Sequence, residues 1–225
     1  NKNFKIRASN NLDWSFDGFF ANNDGFRDQS GYDQQKIRLQ SKFDLNEWTG
    51  YLKATLTNLN QETAGYVNGF NSYKDEEFSK QNFNPDAYRD ANSQRVSLKL
   101  IKEIDDVISS ITPYVRSNDM KFFQHFLPGT PLEENSHYSF GAIFQRITDY
   151  ESFSFIRGLH IDFAKAELTE TQANKLTTSS AFNNATRPQG KHYDYEVDSI
   201  TYAFFGGIEN LSIGNNLIFF ADARA

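Results

Sequence analysis

The side chains best equipped for chemistry in this chain are a set of cations and a set of rings. Lys36, Arg38, Lys53, Arg95, Lys99 and Arg116 each alternate with apolar residues in their own segments. In a strand, successive side chains point to opposite faces, so these cations would share one face. Such a face draws in anions, for example carboxylate or catecholate groups. It equally suits structural pairing with carboxylates across a polar interior. The second set is Phe122, Phe123, His125 and Phe126, followed by Pro128, Gly129 and Pro131. Rings carried on a loop would stack on a flat ligand, or would bury one another to hold the loop in shape. Lys36, Arg38, Arg95, Arg116, Phe122, Phe123, His125 and Phe126 are therefore the candidate ligand contacts.

Other chemistry is poorly supplied. The chain has no cysteine, which removes thiol catalysis, disulfides and thiolate metal sites. His125, His137, His160 and His192 show no i, i+4 pairing of the helical zinc type. His192-Tyr193-Asp194 would place two ligand types on one strand face, a weak metal pair. Glu133-Glu134 and the acidic run at 75–77 would suit a hard cation or divalent ions that bridge lipopolysaccharide. Such runs are ordinarily solvated loop charge. No nucleophile elbow, phosphate loop or dinucleotide fingerprint is present. Asp105-Asp106 falls in a turn, where Asp bonds local backbone. The expectation is no catalysis, no cofactor and no bound metal.

The elements that position these residues follow period two. Phe4, Ile6 and Ala8 alternate with Lys5, Arg7 and Ser9, and Ile37, Leu39 and Phe43 alternate with Lys36, Arg38, Gln40 and Lys42. The same rule runs through Trp48–Thr57, Arg95–Leu100, Val107–Arg116, Tyr138–Gln145 and Ser152–Phe163, and less cleanly near 197–208 and 211–223. This is strand periodicity with one apolar face. The segments run to about 9–12 residues, the length a tilted strand needs to cross a bilayer. Soluble strands are nearer 5–6 residues, by a rough average.

The connections alternate as well. Tight polar turns near 10–13, 44–47, 103–106, 149–151 and 209–210 are separated by longer stretches at 22–31, 60–91, 119–137 and 164–194. Outer-membrane barrels put short turns on the periplasmic side and long loops outside. A soluble sandwich has no reason to gather its long loops at one end. Aromatics make up 16% of the chain, with 22 Phe and 11 Tyr, and interfacial ring girdles account for such a surplus. Mean hydropathy is -0.65, as expected of a wall that is greasy on one side only, and no stretch is long enough for a membrane helix. A net charge of -6 gives no footprint for nucleic acid.

Some residues resist this pattern. Arg157 and Asn215 sit on apolar parity, and either snorkelling or a bulge would accommodate them. Pro113 lies within a strand and fits only where no ladder donor is required. Residues 72–81 would hold a helical turn, and 164–175 would extend a hairpin past the membrane.

Several strings resemble barrel segments of TonB-dependent outer-membrane receptors. They are NPDAYRDANSQRVSLKL (84–100), ITPYVRSNDMKFFQHFLPGTPLEEN (111–135), DGFRDQSGYDQQKIRL (24–39), NLNQETAGYV (58–67) and PQGKHYDYEVD (188–198). They cover most of the chain in the family's order. The resemblance implies an all-β, antiparallel transmembrane β-barrel of about 22 strands, of which residues 1–225 would supply roughly ten. It implies a plug domain, early barrel strands and closing strands outside these residues, and the alternation of short and long connections itself implies at least one upward strand before residue 1. It also implies TonB-coupled uptake of a scarce ligand such as a ferric siderophore, haem or cobalamin. The expected partners are TonB, the siderophore or similar complex, and the lipid and lipopolysaccharide of a Gram-negative outer membrane. A passive porin-like barrel and a soluble all-β carbohydrate-binding module are the alternatives.

Overall fold

The computed structural model describes residues 2–10, 13–124, 128–213 and 217–224. Among these, the strands are β1 (Lys2–Ser9), β2 (Trp14–Asn23), β3 (Tyr32–Leu45), β4 (Trp48–Glu62), β5 (Tyr88–Ile104), β6 (Val107–Phe123), β7 (Pro131–Tyr150), β8 (Phe153–Gln172), β9 (Gly190–Ile213) and β10 (Leu217–Arg224). Each pairs antiparallel with its neighbours in sequence, giving one sheet in the order β1 to β10. The described strands β1 and β10 do not pair with each other, so the sheet is an open wall.

The period-two text explains the register. One row runs Ala8, Phe16, Leu39, Ala54, Val96, Val115, Phe140, Phe163, Ile200 from β1 to β9. The adjacent row on the opposite face runs Arg7, Asp17, Arg38, Thr55, Arg95, Arg116, Ser139, Ala164, Ser199. A slip of one residue at a strand would exchange its polar and apolar side chains between the two faces, so each pairing reinforces the next.

Nothing among the described residues covers the apolar face. Among the described residues the buried apolar side chains are only Ala21, Ala87, Phe122, Pro131 and Ala203. Phe140 is 50% exposed, Ile200 60% and Phe204 67%. A compact chain of this mass would expose about 10,500 Å², whereas this one exposes 15267 Å². A sandwich would have pressed these rows against a second sheet. The soluble two-sheet reading therefore fails on the fold, and the uncovered apolar surface awaits another apolar medium.

The strands are longer than the sequence pattern alone implied. β7 and β8 are 20 residues each and β9 is 24. The extra length is polar text at the long-loop end, where backbone pairing continues after the apolar alternation stops. The stretch expected as a connection at 119–137 shrinks accordingly to 124–130, and that at 164–194 shrinks to 173–189. The hairpin extension expected at 164–175 is present in β8. The turn expected near 209–210 is absent, since β9 continues to Ile213. Asn215 lies outside the described residues.

At the opposite end, two-residue turns join β3 to β4, β5 to β6 and β7 to β8. Asn46 and Asp105 take positive φ there, 53° and 50°, a conformation that Asn and Asp tolerate better than other residues with a Cβ. Pro113 lies inside the sheet. The β5–β6 register skips from Ser97–Tyr114 to Leu100–Ile111 around it, while its pairing with Ala142 on β7 persists. The missing N–H is thus accommodated by a local gap in one ladder. Arg157 involves no bulge: it pairs in unbroken register with Arg146 and Gly206, and so lies on the apolar face.

Two short helices sit in the long connections. A 3-10 turn (Ser72–Lys74) leads into α1 (Glu76–Lys80), as the sequence suggested, and Asp75 caps α1 by accepting from the Phe78 amide. The hydrogen bond from Lys80 holds the Glu76 carboxyl below the usual carboxylate range. α2 (Ala181–Thr186) was not foreseen, and Ser180 caps it through the Asn183 amide.

Candidate functional site

The polar face of the wall collects the candidate cations. Arg38, on β3, reaches Asp17 at 3.0 Å, and Arg7 approaches the same carboxylate from β1 at 2.6 Å. One Asp thus offsets two guanidinium groups. Arg116, on β6, pairs with Asp162 on β8 at 3.2 Å and also bonds the hydroxyl of Ser139 between them. Lys36 and Arg95 have no ion-pair partner among the described residues, and neither do Lys53 and Lys99. Cross-strand register sets Arg95 directly opposite Arg116 and Thr55 opposite Arg95. The middle of the face, from β3 to β6, is therefore electropositive.

Asp162 is the hub of a connected network. The hydroxyl of Tyr114 donates to it and lies 2.7 Å from Nε2 of His160. Nδ1 of His160 faces a guanidinium nitrogen of Arg224 at 2.9 Å. Arginine only donates, so Nδ1 accepts and the ring proton sits on Nε2. The chain of donors then runs from Arg224 through His160 and Tyr114 to Asp162. The ring of Tyr114 passes over Gly141, and a Cβ there would fall 2.6 Å from the Tyr114 oxygen. His160 had looked like a scattered histidine. Only the pairing of β6, β7 and β8 brings residues 46 and 48 positions apart within bonding distance.

A second network ties the long-loop end together. Glu170, 3% exposed, accepts from Arg187 at 2.7 Å and faces Nδ1 of His192 at 2.9 Å. Nε2 of His192 faces the carbonyl of Pro188 at 2.7 Å. Both ring nitrogens of His192 are thus held within hydrogen-bond distance of oxygen atoms. Gln124 bridges Glu133 and Glu170 from the loop before β7. Asp194 is engaged by Lys191 at 2.6 Å, and the β8–β9 register shifts beside His192. The metal pair considered for His192 and Asp194 is thus replaced by two separate contacts. No group of three His, Asp or Glu side chains converges among the described residues.

The ring cluster divides. Phe122 is buried beneath the guanidinium of Arg89, 4.8 Å from its ring centre. Phe123, on the opposite parity, stacks on Tyr88 with centroids 6.0 Å apart. Both end β6 rather than occupying a loop. His125 and Phe126 lie outside the described residues.

No family model matches this sequence, and no curated protein does. Solved structures do match. The ferric citrate transporter FecA in its unliganded form aligns with 99% of this chain at TM-score 0.72 and 11% identity. The ferric yersiniabactin uptake receptor FyuA from Yersinia pestis aligns with 99% at TM-score 0.64 and 10% identity. The copper transporter OprC aligns with 98% at TM-score 0.59 and 12% identity. The fold is that of a TonB-dependent receptor barrel wall. The wall spans 33% of FecA, 40% of FyuA and 33% of OprC, so it is a partial barrel, with the apolar face toward lipid and the polar face toward the lumen. The two-residue turns gather at one end of this wall and the long connections at the other, as the sequence suggested. These neighbours are transporters and receptors rather than enzymes.

Proposed function

We propose that this chain lines the transport path of an outer-membrane receptor that takes up an anionic ligand complex, with a ferric siderophore as the ligand class and TonB as the energy coupler. The observation that carries the reading is the set of lumen cations without carboxylate partners among the described residues: Lys36, Lys53, Arg95 and Lys99. Uncompensated charge on an interior wall strengthens attraction to a solute of opposite sign. Acidic groups of a plug domain would compete for the same cations, which makes them a gate as well as a guide. Arg38 and Arg116 flank the patch with partly neutralised charge. Of the expected ring contacts, Phe122 stays a candidate, since it shares the parity of Arg116 and lies beneath Arg89, whereas Phe123 turns to the opposite parity against Tyr88. The same reading assigns the protein to the outer membrane of a Gram-negative cell, in contact with lipid and lipopolysaccharide.

The test is uptake by cells expressing the full-length protein that carries this chain. With Lys36, Lys53 and Lys99 changed to Gln and Arg95 to Gln together, uptake of iron-labelled ferric citrate should fall about tenfold, with surface expression unchanged. Deleting TonB from the same cells should abolish uptake. Uptake that persists without TonB supports the porin alternative. An unchanged rate in the quadruple variant removes the electrostatic argument.

A further inference from the structure

The lipid face carries one row that does not belong there. Across β5 to β9, Lys102, Ser109, Arg146, Arg157 and Gly206 are successive register partners. The next outward-facing row above is Leu100, Ile111, Phe144, Leu159, Phe204, and the next below is Ile104, Val107, Thr148, Phe155, Ile208. A polar stripe therefore runs between two rows that are apolar except for Thr148. Lys102 is already tied to Glu47 at the periplasmic turn. Arg146 and Arg157 are exposed, directly opposite one another, and without a carboxylate partner among the described residues.

Two like charges facing each other across a strand pair repel. Each arginine on the lipid face of a barrel is costly at mid-bilayer and less so toward the interface. The arrangement persists only if an anion offsets both costs. Depth sets the source. The stacked rings of Tyr150 and Phe153, 4.8 Å apart, mark the periplasmic girdle four residues further along β7 and β8, about 13 Å along the strands. Long guanidinium side chains reach down toward headgroups from that height. Space is also provided. Ser109 and Gly206 bracket the pair with almost no side chain, and a Cβ at Gly206 would meet only the Ile156 carbonyl oxygen, at 3.3 Å.

We propose that Arg146 and Arg157 form a clamp for the phosphodiester of one phospholipid in the periplasmic leaflet. The two guanidinium forks share the phosphate oxygens, and the acyl chains lie along Phe144, Leu159 and Phe204. The site depends on the barrel spanning the membrane and is independent of which solute is carried.

The probe is palmitoyl-oleoyl phosphatidylglycerol, added to the purified full-length protein in detergent, with bound lipid counted by native mass spectrometry. Wild type should retain one tightly held lipid. R146Q/R157Q should lose it, with apparent affinity down about tenfold or more, while K53Q on the lumen face should retain it. Glycerol phosphate at equal concentration should not displace the lipid, because the chains contribute to holding it. Equal lipid retention by wild type and R146Q/R157Q overturns the proposal, as does full displacement by glycerol phosphate. Folding of the variant is checked by its heat-dependent shift in gel mobility, and R146K/R157K, which keeps the charge but loses the fork, should bind with intermediate strength.

Discussion

Replacing Gly141 with valine should stop the wall from assembling. A Cβ at this position would lie 2.3 Å from the carbonyl oxygen of Ile161 and 2.6 Å from the hydroxyl of Tyr114. The side-chain conflict is relieved by swinging Tyr114 away, but the carbonyl belongs to the neighbouring strand and cannot move without breaking the β7–β8 ladder. That ladder pairs continuously from Pro131–Gln172 to Tyr150–Phe153. A backbone shift at its centre would propagate both ways, and overpacking of this kind exceeds about 3 kcal/mol. The check is refolding of the full-length protein from urea into detergent, followed by the heat-dependent mobility shift that reports a closed barrel. G141V should show little folded band. Y114A/G141V should remain defective, because removing the ring leaves the carbonyl conflict intact. Normal folding of G141V would mean that β7 and β8 are not paired in this register.

The second large effect is expected at Asp162. Its side chain is 10% exposed and accepts from both Tyr114 and Arg116. Asp162→Ala would strand a phenol and a guanidinium around a vacated position. Removing one partner of a fully buried ion pair costs roughly 3–5 kcal/mol. The head of Arg116 has some access to water, at 38% side-chain exposure, so a loss of about 2–3 kcal/mol is expected. The urea midpoint of the refolded protein should fall accordingly. Asp162→Asn keeps an acceptor for Tyr114 and should recover part of the loss. A D162A midpoint equal to wild type would show that the network adds nothing to stability.

Much of this fold was legible in the sequence because the two faces of the wall meet different media. The alternation around Ile37, Leu39 and Phe43, or around Phe140, Ala142 and Phe144, has one physical meaning wherever it occurs, and the pairings follow from keeping it aligned. The limits of the strands were less legible. At Lys121, Glu134, Lys165, Glu167 and Glu196 both faces are polar, so the period disappears from the text while the backbone ladder continues. Cross-strand ion pairs such as Lys121–Glu134 and Lys165–Glu196 are what hold that region.

The site was legible only in part. Parity alone placed Lys36, Arg38, Arg95 and Arg116 on one face, and the wall puts them there. Parity gave no sign that Arg38 and Arg116 are neutralised while Lys36 and Arg95 are not, since that depends on which carboxylate register brings opposite. The networks around Glu170 and around Tyr114, His160 and Asp162 were missed for the same reason. The contacts from Glu170 to Arg187 and from Tyr114 to His160 and Asp162 join residues 17, 46 and 48 positions apart. Arg157 did announce itself by breaking parity, and the regular pairing with Arg146 turns that irregularity into a lipid-facing pair.

The account rests on the two faces of one sheet meeting hydrocarbon on one side and water on the other. Spin labels placed singly along β7, from Ser139 to Gln145, in the full-length protein in lipid nanodiscs test this directly. Labels at Phe140, Ala142 and Phe144 should relax with oxygen, which concentrates in lipid, and labels at Ser139, Gln145 and Ile143 should relax with a water-soluble nickel chelate. If the apolar positions respond to neither reagent, as they would when sealed between two protein layers, the membrane-wall account is contradicted.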